Sequence, residues 1–233
     1  IENREVLLRN DFQPDVDLIL KTIDGHTKII FICSPNNPTA NSFDVKKLEA
    51  LLGKFNGLVV IDEAYIDFSA NESLVLRLAN FPNLVVTQTL SKAYGMAGIR
   101  LGICMASPEI IKVLNKIKPP YNVNELTQQR ALDRIAKTDL IKAEVAELLR
   151  QRSLLESVLR QLPFVKQTYP SDSNFILVKV DDAEKRYEQL LLRGIVVRNR
   201  SSQPLCENTL RFTVGTPNEN LKLIEVLKSL ANE

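Results

Sequence analysis

Cysteine is too scarce and too scattered in this chain to organise anything. Cys33, Cys104 and Cys206 are odd in number, far apart and without CxxC spacing. That argues against a disulfide framework and a cysteine metal site, and it fits a reducing cytoplasm; Cys33 and Cys104 read as small core residues. Histidine is rarer still: His26 stands alone beside the Asp24-Gly25 turn and is given no catalytic role. An excess of one charge is also missing. Lys and Arg number 30 against 28 Asp and Glu, a net charge of +2, so nothing points to a nucleic-acid or membrane surface, although small anionic ligands remain possible. No apolar run approaches the roughly 20 residues of a membrane span, no signal-peptide pattern opens the chain, and no repeat or low-complexity segment is evident. What is present is ordinary globular material, 45% hydrophobic over 233 residues, enough for one large domain or two smaller ones. The opening Ile1-Glu2-Asn3-Arg4-Glu5-Val6-Leu7-Leu8 reads like the middle of a fold, so an amino-terminal portion is expected to be missing.

Periodicity divides the chain into elements. Residues 15–23 suit a short helix capped by Asp15, and residues 44–55 a second, with Val45, Leu48, Leu51 and Leu52 at helical spacing. Apolar runs at 28–33, 58–61 and 84–88 alternate with these in a βαβ pattern, with a crossover helix expected over 73–79 and a further strand over 101–105, for which an antiparallel direction is open. The first part is therefore α/β, with a predominantly parallel sheet and flanking helices. After a helix over 108–116, Pro119-Pro120 breaks the chain. Ile141, Val145, Leu148, Leu149, Leu155, Val158, Leu159 and Leu162 then describe a long connecting helix. Strand candidates at 174–180, 195–198 and 209–214, with helices over 183–192 and 218–230, predict a small α+β carboxyl-terminal domain. The expected boundaries are 1–140 for the large domain and 141–233 for the connecting helix and small domain.

The three parallel runs each lead to a polar residue: Asn37, Asp62 and Lys92. Ligands of open α/β sheets sit outside the carboxyl ends of parallel strands, so an amide, a carboxylate and an amine can converge there. A carboxylate ending a buried strand is costly without a cation to compensate it. A pyridinium N–H would serve Asp62, and a cap for Glu63-Ala64-Tyr65 is the plainer explanation. Tyr65 can donate to a phenolic oxygen or simply pack. Lys92 lies in Thr89-Leu90-Ser91-Lys92-Ala93-Tyr94-Gly95-Met96-Ala97-Gly98-Ile99-Arg100, where a partly buried, cationic setting would favour the neutral amine that forms a Schiff base. Gly95, Ala97 and Gly98 suggest close backbone approach. Arg100 with the Ser91 and Thr89 hydroxyls would suit a phosphate. Ser34-Pro35-Asn36-Asn37-Pro38-Thr39 is adequately explained as a turn, and arginines at strand positions such as Arg198 and Arg211 are commonly exposed or paired on a sheet face.

Taken together, Ser34-Pro35-Asn36-Asn37-Pro38-Thr39, Asp62-Glu63-Ala64-Tyr65, Ser91-Lys92 with Arg100, and the late Arg211 resemble, in order and over essentially the whole chain, the fold-type I, aspartate aminotransferase-like superfamily of pyridoxal phosphate enzymes. Residues 91–100, Pro120-Tyr121-Asn122-Val123-Asn124 and residues 210–216 look most like the histidinol-phosphate aminotransferase family. The resemblance implies pyridoxal 5'-phosphate as cofactor and a homodimer. It makes Lys92 the Schiff-base lysine, Asp62 the partner of the ring nitrogen, Asn37 and Tyr65 partners of the phenolic oxygen, and Ser91 and Arg100 phosphate ligands, beside which the Thr89 hydroxyl lies in the sequence. Arg211 would hold the substrate's anionic end, with Arg198 as helper. Ala40 replaces the glycine that usually follows Asn-Pro-Thr. The family's amino-terminal arm, Gly-containing phosphate loop and ring-stacking aromatic have no counterpart here.

The expected reaction moves an amino group between glutamate and imidazole acetol phosphate, giving histidinol phosphate, with small amino and keto compounds as the partners and neither nucleic acid nor membrane involved. A threonine-phosphate decarboxylase or aromatic aminotransferase on the same fold is the near alternative. A non-catalytic structural or regulatory fragment is the distant one.

Overall fold

The computed structural model describes residues 1–231. The chain forms two compact units, one of residues Ile1–Asn36 and Ser42–Lys142, the other of Asn37–Asn41 and Ala143–Glu233.

The first unit begins with α1 (Val16–Thr22), whose Asp15 cap accepts from the Leu18 N–H at 2.9 Å. Asp24 closes the next turn by accepting from His26 and Thr27, and these bonds hold its carboxyl down to about 2. Then come β1 (Ile29–Cys33), α2 (Val45–Lys54, capped by Asp44), β2 (Leu58–Asp62), β3 (Leu84–Thr89) and β4 (Gly102–Ala106). Their sheet has the order β1-β2-β3-β4, parallel between the first three and antiparallel between β3 and β4. The apolar face of α2, Leu48, Leu51 and Leu52, packs with Val59, Ile61, Leu84 and Val86, all of them buried. Each such side chain contributes roughly 1.5–3 kcal/mol of burial. Gly57 starts β2 at a position where a Cβ would lie 2.5 Å from the Lys28 carbonyl, and Asn83 ties three carbonyls of the α2–β2 connection to the start of β3.

Two expectations are corrected here. The crossover helix over 73–79 is only a 3-10 turn, Leu74–Arg77, because Asn80-Phe81-Pro82 follows after two residues and leaves no length for an α-helix. Cys33 and Cys104 are exposed, not core residues. They share a register row with Asp62 and Thr87 (Cys33↔Asp62, Asp62↔Thr87, Thr87↔Cys104), so they lie on the sheet face away from α2, the face that also exposes Phe31. The unit continues with α3 (Pro108–Ile117) and α4 (Glu125–Ile135), the latter capped by Asn124 on the Thr127 N–H.

Helix α5 (Thr138–Leu159) precedes the second sheet, built from β5 (Val165–Thr168), β6 (Phe175–Val180), β7 (Arg198–Asn199) and β8 (Thr209–Thr213), with α6 (Ala183–Leu192) before β7 and α7 (Pro217–Leu230) last. The order is β5-β6-β8-β7, antiparallel throughout. One sheet face, with Ile176, Val178, Leu210 and Phe212, buries Leu155 and Leu159 of α5, Leu190 of α6 and Leu227 of α7. Strand β5 was not anticipated: it is four residues long and its register shifts between Val165 and Gln167, so its alternation is too short to read. The strand expected over 195–198 shrinks to Arg198–Asn199. Among the described residues no helix is long and apolar enough to cross a membrane.

Candidate active site

Asp62 is the last residue of β2, and the ladder continues past it on both sides. Its carbonyl accepts from Ser34 N–H at 2.9 Å, and Glu63 N–H donates to Thr87 at 2.8 Å. The strand end is thus held on both flanks before the chain turns. The Asp62 carboxylate is half-buried and accepts at Oδ1 from the Ala64 N–H at 3.0 Å. The capping role is real, and it leaves Oδ2 to receive another donor. The surroundings raise the Cys33 thiol above its ordinary value, desolvation first and the adjacent Asp62 charge second. Tyr65 is buried two residues beyond the turn's start, where it begins the 3-10 turn Ile66–Phe68. Lys92 Nζ stands 5.1 Å from the centroid of its ring.

The expensive buried carboxylate of this strand end is Glu63, not Asp62. Side chains alternate along the extended chain, so Glu63 points to the opposite face, where it is 2% exposed. It accepts from Ser73 Oγ at 2.5 Å, the Leu74 N–H at 2.7 Å and Gln88 Nε2 at 2.9 Å. Sequence reasoning missed this network. The signal was there in the adjacency of two acids at a strand end, since only one of them can face a ligand.

Lys92 is exposed, which corrects the partly buried setting expected for it. Its loop is nevertheless closed. Leu90 N–H donates to Leu101 at 3.3 Å, Met96 N–H to Leu90 at 2.9 Å, and Gly95 N–H to Lys92 at 3.0 Å. Leu90 and Met96 pack on Ala131 of α4, and Arg134 Nε donates to the Tyr94 carbonyl at 2.9 Å, a second anchor that sequence did not reveal. The glycines act differently from expectation. A Cβ at Gly95 or Gly98 would meet nothing within 4 Å, so neither mediates close approach; Gly95 is needed for its φ of +66°.

Thr89 ends β3, and its hydroxyl donates to Ser91 Oγ at 2.9 Å while accepting from Ser91 N–H at 3.1 Å. The Thr89 hydroxyl also reaches the Leu101 carbonyl, so this pair and Arg100 meet at the two ends of one closed loop. Arg100 is exposed, with left-handed backbone (φ 56°), and Nη1 donates to Ala97 at 3.1 Å.

In the second unit, Arg198 and Arg211 are direct register partners across β7 and β8, so their side chains leave the same sheet face, the one away from α5, α6 and α7. Arg211 lies over the Phe175 ring at 4.7 Å, and its Nη1 donates to Asn37 Oδ1 at 2.7 Å. The Asn37 oxygen is therefore taken, and its Nδ2 becomes the donating end. The Asn37 turn is fastened here by Ala40, whose carbonyl accepts from Asp172 N–H at 2.8 Å and Ser173 Oγ at 3.2 Å. Ala40 itself has φ 69°, in the left-handed region that glycine adopts without strain, which explains the residue type expected there.

A family model described as aminotransferase class I and II matches residues 1–227. The chain belongs to this family. It is 62% identical, over 99% of its length, to histidinol-phosphate aminotransferase of Flavobacterium johnsoniae, and spans 66% of that protein. Among solved structures it resembles histidinol-phosphate aminotransferase from Clostridium acetobutylicum, with TM-score 0.90 at 25% identity, covering 97% of this chain and 70% of that one. It also resembles the Sinorhizobium meliloti enzyme solved in complex with pyridoxal-5'-phosphate, with TM-score 0.84 at 22% identity, covering 97% and 64%. The fold is thus that of fold-type I aminotransferases, as the motifs implied.

Proposed function

We propose that the protein is a pyridoxal phosphate aminotransferase that moves the amino group of glutamate to imidazole acetol phosphate, yielding histidinol phosphate. The observation that carries the substrate class is the register pairing of Arg198 with Arg211. Two guanidinium groups directly opposite each other on one sheet face repel unless an anion joins them, and a phosphate or carboxylate matches their forks. The 62% identity to a protein named histidinol-phosphate aminotransferase supports the same reading.

The residues present fit the cofactor: Asp62 has a carboxylate oxygen to spare, Thr89 and Ser91 set two hydroxyls side by side, and Asn37 has an amide turned to donate. Bound pyridoxal phosphate supplies an aldehyde carbon that links amines and a protonated ring that draws electrons from the substrate carbon. In this reading Asp62 keeps the proton on the ring nitrogen. Asn37 Nδ2 and the Tyr65 hydroxyl are the groups that would donate to the phenolic oxygen, and Thr89, Ser91 and Arg100 those that would hold the phosphate. Lys92 Nζ would hold the cofactor covalently, and its amine, when free, would serve as the base that holds and moves the proton at the substrate carbon. Arg211, aided by Arg198, orients whichever anionic terminus is present. We assign the cofactor to residues 1–140 and the substrate's anionic end to 141–233, and place the reaction in the cytoplasm with the protein as a homodimer.

Rapid mixing of cofactor-loaded protein with glutamate and then with imidazole acetol phosphate tests this. Amino transfer to the phosphate-bearing ketone without carbon dioxide release is expected. Release of carbon dioxide from threonine phosphate, or preference for an aromatic keto acid, would replace the reading by one of its neighbours.

A further inference from the structure

Glu63 is buried, makes three hydrogen bonds, and is used by nothing in the reaction described above. Its carboxylate joins three separate stretches of chain. It belongs to the turn that carries Asp62 and Tyr65, and its carbonyl accepts from Ile66 N–H at 3.1 Å inside that turn. Through Ser73 Oγ and Leu74 N–H it caps the 3-10 turn Leu74–Arg77. Through Gln88 Nε2 it grips β3 four residues before Lys92, and Gln88 Nε2 also reaches Ser73 Oγ at 3.2 Å. Charge effects run the same way on the far side of the turn. Desolvation and then the Glu63 charge raise Asp67, and desolvation and then the Asp67 charge raise Tyr94, two residues past Lys92.

Resting on the function proposed above, we infer that Glu63 is a positioning residue: its carboxylate, held by Gln88 and Ser73, sets the separation of the Asp62 carboxylate from the Lys92 amine. Asp62 and Lys92 sit on different strand ends; backbone bonds close each turn, but the last one that joins the two strands runs from Glu63 N–H to the Thr87 carbonyl, five residues before Lys92. Alignment of reacting groups is sensitive to displacements of about 1 Å, which cost on the order of 100-fold in rate. A charged acceptor buried between the two turns is a stiff spacer because its bonds are charge-assisted and lie away from water.

The test compares wild type, Glu63→Gln, and the exchanged pair Glu63→Gln with Gln88→Glu, which returns a carboxylate and an amide to the same contact. In the free protein, amide hydrogen exchange at Ala64 and across residues 89–92 should quicken about tenfold in Glu63→Gln, the loss of one charge-assisted bond, and recover in the exchanged pair. Amides of α1 should stay unchanged. In cofactor-loaded protein, the pH midpoint of the visible absorbance should move by roughly half a unit or more in Glu63→Gln and return in the pair. The turnover number should fall more than the Michaelis constant changes. A role in stability alone would lower the melting temperature and leave that midpoint in place. Unchanged exchange at 89–92, an unmoved midpoint, or a pair that recovers neither would overturn the inference. Should wild type take up no cofactor, the proposed function fails, and the exchange measurement still decides whether Glu63 couples the two turns.

Discussion

The two sheets prepare reactive groups in opposite ways. In the parallel sheet the candidate groups lie beyond the strand ends: Asp62 is the last residue of β2, and Lys92 follows Thr89, the last of β3. Each is held by turn hydrogen bonds and by neighbours such as the buried Glu63 and the half-buried Arg134. In the antiparallel sheet the candidate groups lie within strands. Arg211 is the middle residue of β8 and Arg198 the first of β7, so the ladder itself places them side by side. Strand ends let a side chain stand free to react, and strand interiors fix a pair of side chains to recognise a shape. The first arrangement suits bond making, the second suits anion binding.

If this division holds, substitutions in the first unit should destroy chemistry and those in the second should weaken substrate binding. The largest effect is expected for Lys92→Ala, which should lower transamination by more than about 10⁴-fold. Because Lys92 is exposed, stability should change by less than about 0.5 kcal/mol. Borohydride treatment of loaded wild type followed by peptide mass spectrometry should place the cofactor on Lys92, and a label on another lysine would break the assignment. Next is Asp62→Asn, which removes the charge that keeps the ring proton. Single-turnover proton abstraction should slow by about 10²–10³-fold with cofactor still bound. A rate near wild type would reduce Asp62 to the cap of Ala64.

Arg211→Ala should impair both half-reactions by roughly 2–5 kcal/mol, with cofactor affinity near normal. Arg211→Lys should restore little, since an ammonium lacks the planar fork. Stopped-flow measurements with glutamate and with histidinol phosphate separate the two. A defect confined to one substrate would transfer the other to Arg198. The smallest effect lies outside both sites. Asp181 is held down to about 2, first by its hydrogen bonds from Arg186, and the pair sits against the Phe164 ring. A depressed carboxyl stabilises the fold fully above its unfolded value near 3.8 and loses that contribution as pH falls through about 2. With Asp181 about one-third exposed, screening reduces the effect to about 1 kcal/mol. Urea unfolding between those pH values should show it in wild type and not in Asp181→Asn.

Much of this architecture was legible before any coordinates. Helix α2 and its cap, the three parallel strands and the antiparallel β4 follow from apolar period and from capping residues whose effects are local. What was missed depended on length or facing. The turn at Leu74–Arg77 and strand β5 are too short for a period to establish itself. Cys33 and Cys104 belong to apolar runs, and a run alone does not say which sheet face is covered.

The sequence by itself determined the family and the chemical types at the strand ends, because motifs such as Ser91-Lys92 and Asn37-Pro38-Thr39 are contiguous and carry their meaning locally. Only the tertiary structure decided that Glu63, not Asp62, is the buried acid, that Asn37 turns its oxygen to Arg211, and that Arg198 stands opposite Arg211. Those facts join residues as much as 174 positions apart. Register and facing settle such pairings only when the strands assemble, and no local preference of the chain encodes them.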